Sequence, residues 1–177
     1  MKLKDRIAIV TGGGSGIGRA TALLFASEGA NIIVADTDEK TGKETVQLII
    51  SDNGIAEFVT CDVSQSADVR KLTDTAVNKF EKIDILFNNA GIAGQHSVTE
   101  ISESDWDRVL AVNLRGVFLC SKYAIPHMAK NGGGVIVNTA SAVGLVGSAG
   151  QASYCASKGG VVLLTKAMAL DYAKDNI

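Results

Sequence analysis

The sequence predicts an α/β fold, a doubly wound parallel sheet with helices on both faces. Short apolar runs rich in β-branched residues alternate along the chain with longer segments of helical period. The runs are apolar without alternation, as strands covered on both faces are. The segments between them are long enough for the crossovers that parallel strands require.

Taken in order, strands are expected over residues 7–11, 31–36, 56–61, 83–88 and 135–140. A helix over 16–29 has Ile17, Ala20, Leu23, Leu24 and Ala26 for a buried side. Helices over 38–52 and 67–82 are more amphipathic. Val46, Leu48 and Ile49 form the inner face of the first, and Val69, Leu72, Ala76, Val77 and Phe80 that of the second. A long helical stretch follows over 104–130. Its start is marked by Ser102 or Ser104 with acidic residues in the first turn. Pro126 lies inside it, so a bend or break is expected near Ile125. The last helix is expected over 153–174.

Composition narrows the function classes. The 177 residues suit one domain, a Rossmann-type unit over 1–177. A net charge of −2 argues against nucleic acid or an anionic membrane surface as the main partner. With 46% hydrophobic and 20% charged residues, the chain has the makeup of a globular protein. Its 19 glycines against one proline supply permissive turns and close backbone approaches. Three cysteines (Cys61, Cys120 and Cys155) form no C-x-x-C pair, which fits reduced thiols in a cytoplasmic protein. The uncharged stretch 131–157 is too rich in Gly, Ser, Thr and Asn for a membrane span. The first apolar run breaks at Gly12, so no signal peptide is expected.

The first strand leads directly into Thr11-Gly-Gly-Gly-Ser-Gly-Ile-Gly18, and a helix begins inside that string. Glycines at such a turn let the backbone approach a pyrophosphate, which then meets unpaired N–H groups and the positive end of the helix dipole. The spacing Gly12-x3-Gly16-x-Gly18 differs from the usual G-x-G-x-x-G fingerprint. Asp36 ends the second strand, where an acid that binds the adenosine ribose belongs. Its charge would repel a 2′-phosphate, and Thr37 and Asp38 bring no cation to offset it, so NAD is expected rather than NADP.

Tyr154-Cys-Ala-Ser-Lys158 opens the last helix and puts a phenol and an ammonium on one side of it. Ser141 stands upstream, at the carboxyl end of the fifth strand, where an open α/β sheet places its ligands. Moving a hydride from an alcohol to a nicotinamide also requires removing the hydroxyl proton. Tyr154 is the expected general acid/base, with the Lys158 ammonium favouring its phenolate form. Ser141 is expected to hydrogen-bond the substrate oxygen. Asn113 and the Asn88-Asn89-Ala90-Gly91 turn add polar groups at the same edge. Cys155 is turned away by its helical position, His96 lies near the expected substrate mouth, and neither His96 nor His127 has metal-ligand spacing to a cysteine.

With these motifs in order along the whole chain, the sequence resembles the classical short-chain dehydrogenase/reductase family. That resemblance implies that Gly12, Ser15, Gly16, Ile17 and Gly18 hold the pyrophosphate side of the cofactor. It implies that Asp62 and Val63 take the adenine, and that Asn89 lies beside the cofactor. Asn113, Ser141, Tyr154 and Lys158 match the family's catalytic tetrad. Lys158 would also hold the nicotinamide ribose, and Asn113 a water on a proton path. The family also implies pairing of the last helix with its twin, in a homodimer or homotetramer, supported here by apolar Val161, Val162, Leu163, Leu164 and Met168.

Family members continue beyond this point with a sixth strand, a Pro-Gly element, a substrate lid and a last strand. The fifth strand is therefore expected at a sheet edge. The uncharged loop 142–151 favours a small alcohol or ketone as substrate, so the first reading is an NAD-dependent oxidoreductase. A 3-oxoacyl-thioester reductase of the same family is the alternative, and Asp36 speaks against its usual NADP. A sugar epimerase or dehydratase shares the Tyr-x3-Lys pair but usually not this glycine spacing. A non-catalytic nucleotide-binding protein is disfavoured by the intact tetrad.

Overall fold

Strands β1 (Ile7–Thr11), β2 (Asn31–Asp36), β3 (Ala56–Thr60), β4 (Ile85–Asn88) and β5 (Val135–Asn138) form one parallel sheet in the order β3-β2-β1-β4-β5. A computed structural model describes all residues, Met1–Ile177. In register, Ile7 lies opposite Asn31 and Thr11 opposite Ala35, while Ala8 lies opposite Ile85 and Val10 opposite Phe87. The chain winds outward from β1 through β2 to β3, then crosses back to β4 and β5. Strand order thus reverses between β1 and β4, and a crevice opens there at the carboxyl ends.

Alternate strand residues feed two cores, one on each face. Ala8, Val10, Ile32, Val34 and Phe87 pack under α1 (Gly16–Ser27) and α2 (Glu39–Ser51) with Ala22, Val46 and Ile49. Ile9, Ile33 and Leu86 face the other way. They meet Val69 and Leu72 of α3 (Ser66–Phe80), and Leu119 and Met128 of α5 (Gly116–Lys130). This is the doubly wound Rossmann-like sheet expected from the sequence. Asp38 caps α2 by accepting from the Thr41 N–H at 3.1 Å, and Ser102 caps α4 (Glu103–Leu110) by accepting from Asp105 N–H at 3.0 Å.

Some expectations change. In α1 the buried residues are Gly18 and Ala22, whereas Ile17 is 66% exposed and Leu24 59% exposed. The helix lies too close to the β1 turn for a larger side chain, since a Cβ at Gly18 would fall 2.0 Å from the Gly12 carbonyl oxygen. Leu48 of α2 is likewise exposed. The stretch expected as one helix is interrupted by a π turn, Ala111–Arg115, between α4 and α5. The chain stays helical through Pro126. Pro126 and Lys122, whose carbonyl loses its i+4 partner, both face solvent, while Ala124, Ile125 and Met128 are buried and anchor that turn. The last helix, α6 (Ala152–Asp171), ends before 174 and gives way to a short 3-10 turn, Ala173–Asp175.

β5 lies at the sheet edge as expected, with Val135 and Val137 exposed, and α6 leaves Leu163 and Leu170 exposed. No helix is long and apolar enough to cross a membrane. Cys61 and Cys120 are buried, and burial pushes the Cys61 thiol up to about 12.

Asp84 fastens the amino ends of three strands. Its carboxylate accepts from the Ile7 N–H (2.8 Å) and Arg6 (2.8 Å) and pairs with Lys82 (3.0 Å). Its own N–H donates to the Ile7 carbonyl, and its carbonyl accepts from the Val135 N–H, each at 2.9 Å. Burial pushes the carboxyl pKa up, but these bonds and cations outweigh it and hold the group below its ordinary value. A carboxyl held low in the folded state stabilises the fold above its unfolded pKa and loses that contribution as pH falls through the folded value. Asp84→Asn is expected to cost about 1–3 kcal/mol in urea unfolding at pH 7. The difference should shrink below roughly pH 4, where the parent's own carboxyl takes up a proton. Equal stability at pH 7 would show that Asp84 does not fasten the strands.

Candidate active site

The cleft begins where β1 ends. The Thr11 hydroxyl donates to the Phe87 carbonyl (3.3 Å) and accepts from the Asn89 N–H (3.0 Å) and Ala90 N–H (3.1 Å). Gly12 and Gly16 then turn the chain with φ of 63° and 50°, values that glycine adopts without strain. A Cβ at Gly16 would meet nothing within 4 Å, so the backbone there lies open to a ligand. Asn89 spans the turn, its Nδ2 donating to the carbonyls of Thr11 (3.2 Å) and Gly12 (3.4 Å).

Asp36 accepts from the Gly14 N–H at 2.8 Å and from the Asp38 N–H at 3.1 Å, so its carboxylate braces the glycine turn from β2. Two nearby cations are directed elsewhere. Arg19 binds the Thr45 hydroxyl (2.9 Å), the Thr41 carbonyl (3.0 Å) and Glu44 (3.3 Å), and Lys43 pairs with Glu39. After β3, Asp62 accepts from the Ser64 N–H at 2.9 Å. Val63 packs on Gly116, where a Cβ would lie 2.7 Å from Val63 Cγ2, and Arg115 donates to the Ser64 carbonyl.

A cavity of about 470 Å³ is lined by Gly12, Ser15, Gly16, Ile17, Asp36, Asp62, Val63 and Asn89 among others. Beside it lies one of about 390 Å³ that includes Tyr154, Lys158, Thr139 and Gln151. Ile17, Asn89, Gly91 and Ile92 line both, so the two form one cleft across the carboxyl edge of the sheet. The open glycine backbone, the helix N-terminus and the Asp36 carboxylate together fit a dinucleotide. A larger cavity of about 730 Å³ sits at the opposite end of the strands, near Arg6 and Asp84.

Tyr154 and Lys158 share one side of α6, with Lys158 Nζ 5.6 Å from the Tyr154 ring centre. Lys158 is only 3% exposed, its ammonium donates to the Thr139 carbonyl at 2.6 Å, and burial lowers its pKa. Asn113 sits fully buried in the π turn. Its Oδ1 accepts from the Ile92 N–H (2.8 Å), and its Nδ2 donates to the Ile92 carbonyl (2.9 Å) and the Ser157 hydroxyl (3.2 Å). Gly91 fills the space between them. A Cβ there would lie 3.3 Å from Asn113 Oδ1 and 3.7 Å from Lys158 Nζ. Asn113, Tyr154 and Lys158 thus converge.

Ser141 lies outside the lining of either cavity. It caps the 3-10 turn Ala142–Gly144 by accepting from the Val143 N–H at 3.4 Å, and that turn packs on α6 at Lys158. Gly18 lies behind the glycine turn. His96 lines a neighbouring cavity that shares Ile92, Ala93 and Gly94 with the Tyr154 chamber, His127 is remote on α5, and Cys155 is half-buried near Ser148. Several contributors were not singled out from sequence: Thr11, Ile92, Thr139, Gln151 and Ser157. Ile92 and Thr139 bind Asn113 and Lys158 through backbone groups, which no side-chain pattern marks. The one available signal was Thr11, a hydroxyl ending an otherwise apolar strand.

The short chain dehydrogenase family model matches residues 6–177. An uncharacterized oxidoreductase of Thermotoga maritima is 44% identical over 172 residues, covering 97% of this chain and 68% of that protein. A meso-2,3-butanediol dehydrogenase of Serratia marcescens is 43% identical, covering 100% of this chain and 69% of that one. The crystal structure of an NAD⁺-bound xylitol dehydrogenase matches with a TM-score of 0.97 at 36% identity, over 100% of this chain and 68% of that one. Among such relatives the chain spans 64% to 72% of the other protein's length.

Asn113→Ala would leave the Ile92 N–H and carbonyl and the Ser157 hydroxyl short of a partner. A loss of about 2–4 kcal/mol in urea unfolding is expected. A loss under about 0.5 kcal/mol would mean that the π turn holds its shape without this side chain.

Proposed function

The chain belongs to the short-chain dehydrogenase family, and we propose that it is an NAD-dependent oxidoreductase acting on a small alcohol or ketone. One observation carries the reading: Tyr154 and Lys158 line the same cleft as the glycine turn and Asp36. NAD(H), when bound, supplies or accepts the hydride. Gly12, Ser15, Gly16, Ile17 and Gly18 form the pyrophosphate side of its site, Asp36 takes the adenosine ribose, and Asp62, Val63 and Asn89 flank the rest.

In the oxidation direction Tyr154 takes the substrate hydroxyl proton, and in reduction it returns a proton to the carbonyl oxygen. The Lys158 ammonium, buried and close to the ring, stabilises negative charge on the Tyr154 oxygen more than a solvated cation would. Its bond to the Thr139 carbonyl fixes its position. Ser141 would donate to the substrate oxygen after turning its hydroxyl toward the cleft. Asn113 acts as a positioning residue, clamping Ile92 against the cleft wall. The likeness to an alcohol-oxidising relative and to an NAD⁺-bound one supports the substrate class and the cofactor. A homodimer or homotetramer in the cytoplasm completes the proposal, supported by the exposed Leu163 and Leu170 on α6.

Two measurements test this. Tyr154→Phe is expected to lower kcat about a hundredfold or more, with NADH affinity nearly unchanged by fluorescence titration. Turnover close to the parent's would remove Tyr154 from proton transfer. Calorimetry should show NADH bound at least about tenfold tighter than NADPH, because Asp36 accepts from the ribose hydroxyls and repels a 2′-phosphate. Asp36→Asn, which can still accept from the Gly14 N–H, should narrow that ratio sharply. Tighter NADPH binding by the parent would overturn the cofactor assignment.

A further inference from the structure

We propose that Gln151 is a substrate-binding residue, and that the substrate carries a second neutral oxygen on the carbon next to the reacting one. The inference rests on the proposed alcohol and ketone chemistry of the same cleft. Besides Tyr154, the chamber has four side chains with polar ends: Asn89, Thr139, Lys158 and Gln151. Three are engaged within the fold. Asn89 binds the carbonyls of Thr11 and Gly12 and accepts from the Thr139 hydroxyl at 3.5 Å, and Lys158 binds the Thr139 carbonyl. The half-buried Gln151 carboxamide is bonded to no other group of the chain. Polar groups that converge on a pocket without a partner in the fold are those a ligand completes.

Position gives the substrate class. Gln151 precedes the first turn of α6, three residues before Tyr154. Gln151 caps the helix with a non-helical backbone (φ −131°, ψ 38°), and it and Tyr154 line the same chamber. A substrate with its reacting oxygen at the Tyr154 hydroxyl therefore turns a substituent of the neighbouring carbon toward Gln151. An amide both donates and accepts, so it pairs equally with a hydroxyl or a carbonyl there. A carboxylate would call for a second cation in the chamber, since Lys158, its one cation, stands beside the Tyr154 ring on the Thr139 carbonyl.

The backbone that carries the amide is fixed. Gln151 forms an isolated parallel bridge with His96, and His96 is held at a φ of 83°. A bulky residue keeps such a strained conformation only where its surroundings over-determine it. Gly94 shows how tight they are, since a Cβ there would lie 2.4 Å from Ser153 Oγ and 3.0 Å from the Tyr154 nitrogen. The segment from Gly91 to His96 is thus pressed onto the start of α6. A rigid support of this kind makes a specificity contact effective.

Acetoin and butanone differ by one hydroxyl on the carbon beside the carbonyl, and they serve as probes. With NADH, the parent should favour acetoin by about tenfold in kcat/KM. Gln151→Leu, similar in volume, and Gln151→Ala should both erase that preference by raising KM for acetoin, with butanone changed less than about twofold. Equal losses on both ketones, or a parent without the preference, would overturn the proposal. If neither ketone were reduced, the reading of the reaction would fail on its own account. Calorimetric titration of both ketones into the NAD⁺-saturated protein, where no reduction can occur, then decides. Tighter acetoin binding that depends on Gln151 sustains the proposal, and equal or absent binding of the two overturns it.

Discussion

One hydroxyl at the point where the sheet reverses its strand order holds the cleft in shape. Thr11 engages three backbone groups from β4 and the turn after it, at distances of 3.0 to 3.3 Å. The central strands of a parallel sheet all end at the same edge, and their last N–H and carbonyl groups need partners there. At the β1/β4 switch the crossovers leave in opposite directions, so no helix covers those groups. Thr11 and Asn89 satisfy them with side chains small enough to leave the crevice open. The glycine turn is thereby held directly against the Asn89–Gly91 segment, a Cβ at Gly12 falling 3.0 Å from Ala90 Cα.

The remaining walls follow the same logic. Asn113 binds both backbone groups of Ile92 and so ties the far side of the crevice to the π turn and to α6. Behind it, Asn88 donates to Asn138 (2.8 Å) and Ser121 (3.3 Å), and Asn138 donates to Thr165 (2.9 Å), which joins β4, β5, α5 and α6. Such buried polar links cost desolvation and restore it only in one arrangement, which gives the edge a unique geometry. Lys158 is the expensive member. Its ammonium is only 3% exposed, rests on the Thr139 carbonyl, and has its pKa lowered by burial.

Most of the fold was legible in the sequence because short apolar runs and segments of helical period alternate there. Continuous apolar runs marked the strands, which the structure bounds within two residues at each end. The glycine turn, Asp36 and the Tyr154–Lys158 pair stand out in the sequence by residue type and spacing, and the structure places them along one cleft. The face of α1 matches the expectation only in part: Leu23 and Ala26 pack on the core, whereas Ile17 and Leu24 are exposed and Gly18 and Ala22 make the closest approach. Pro126 does not break α5, because its missing hydrogen bond faces solvent and the buried face of the helix holds it together.

By itself, then, the sequence determined the layer architecture, the glycine turn after the first strand and the placing of Tyr154 and Lys158 one helical turn apart. Those follow from local periodicity and residue chemistry, which act within one element. Tertiary structure alone decided that Asn113 grips Ile92 from a π turn, that Lys158 rests on the Thr139 carbonyl, and that the Gln151 amide is left free in the cleft. These depend on backbone groups brought together from distant elements. A backbone N–H or carbonyl is the same at every position, so only its place in the fold tells what it binds.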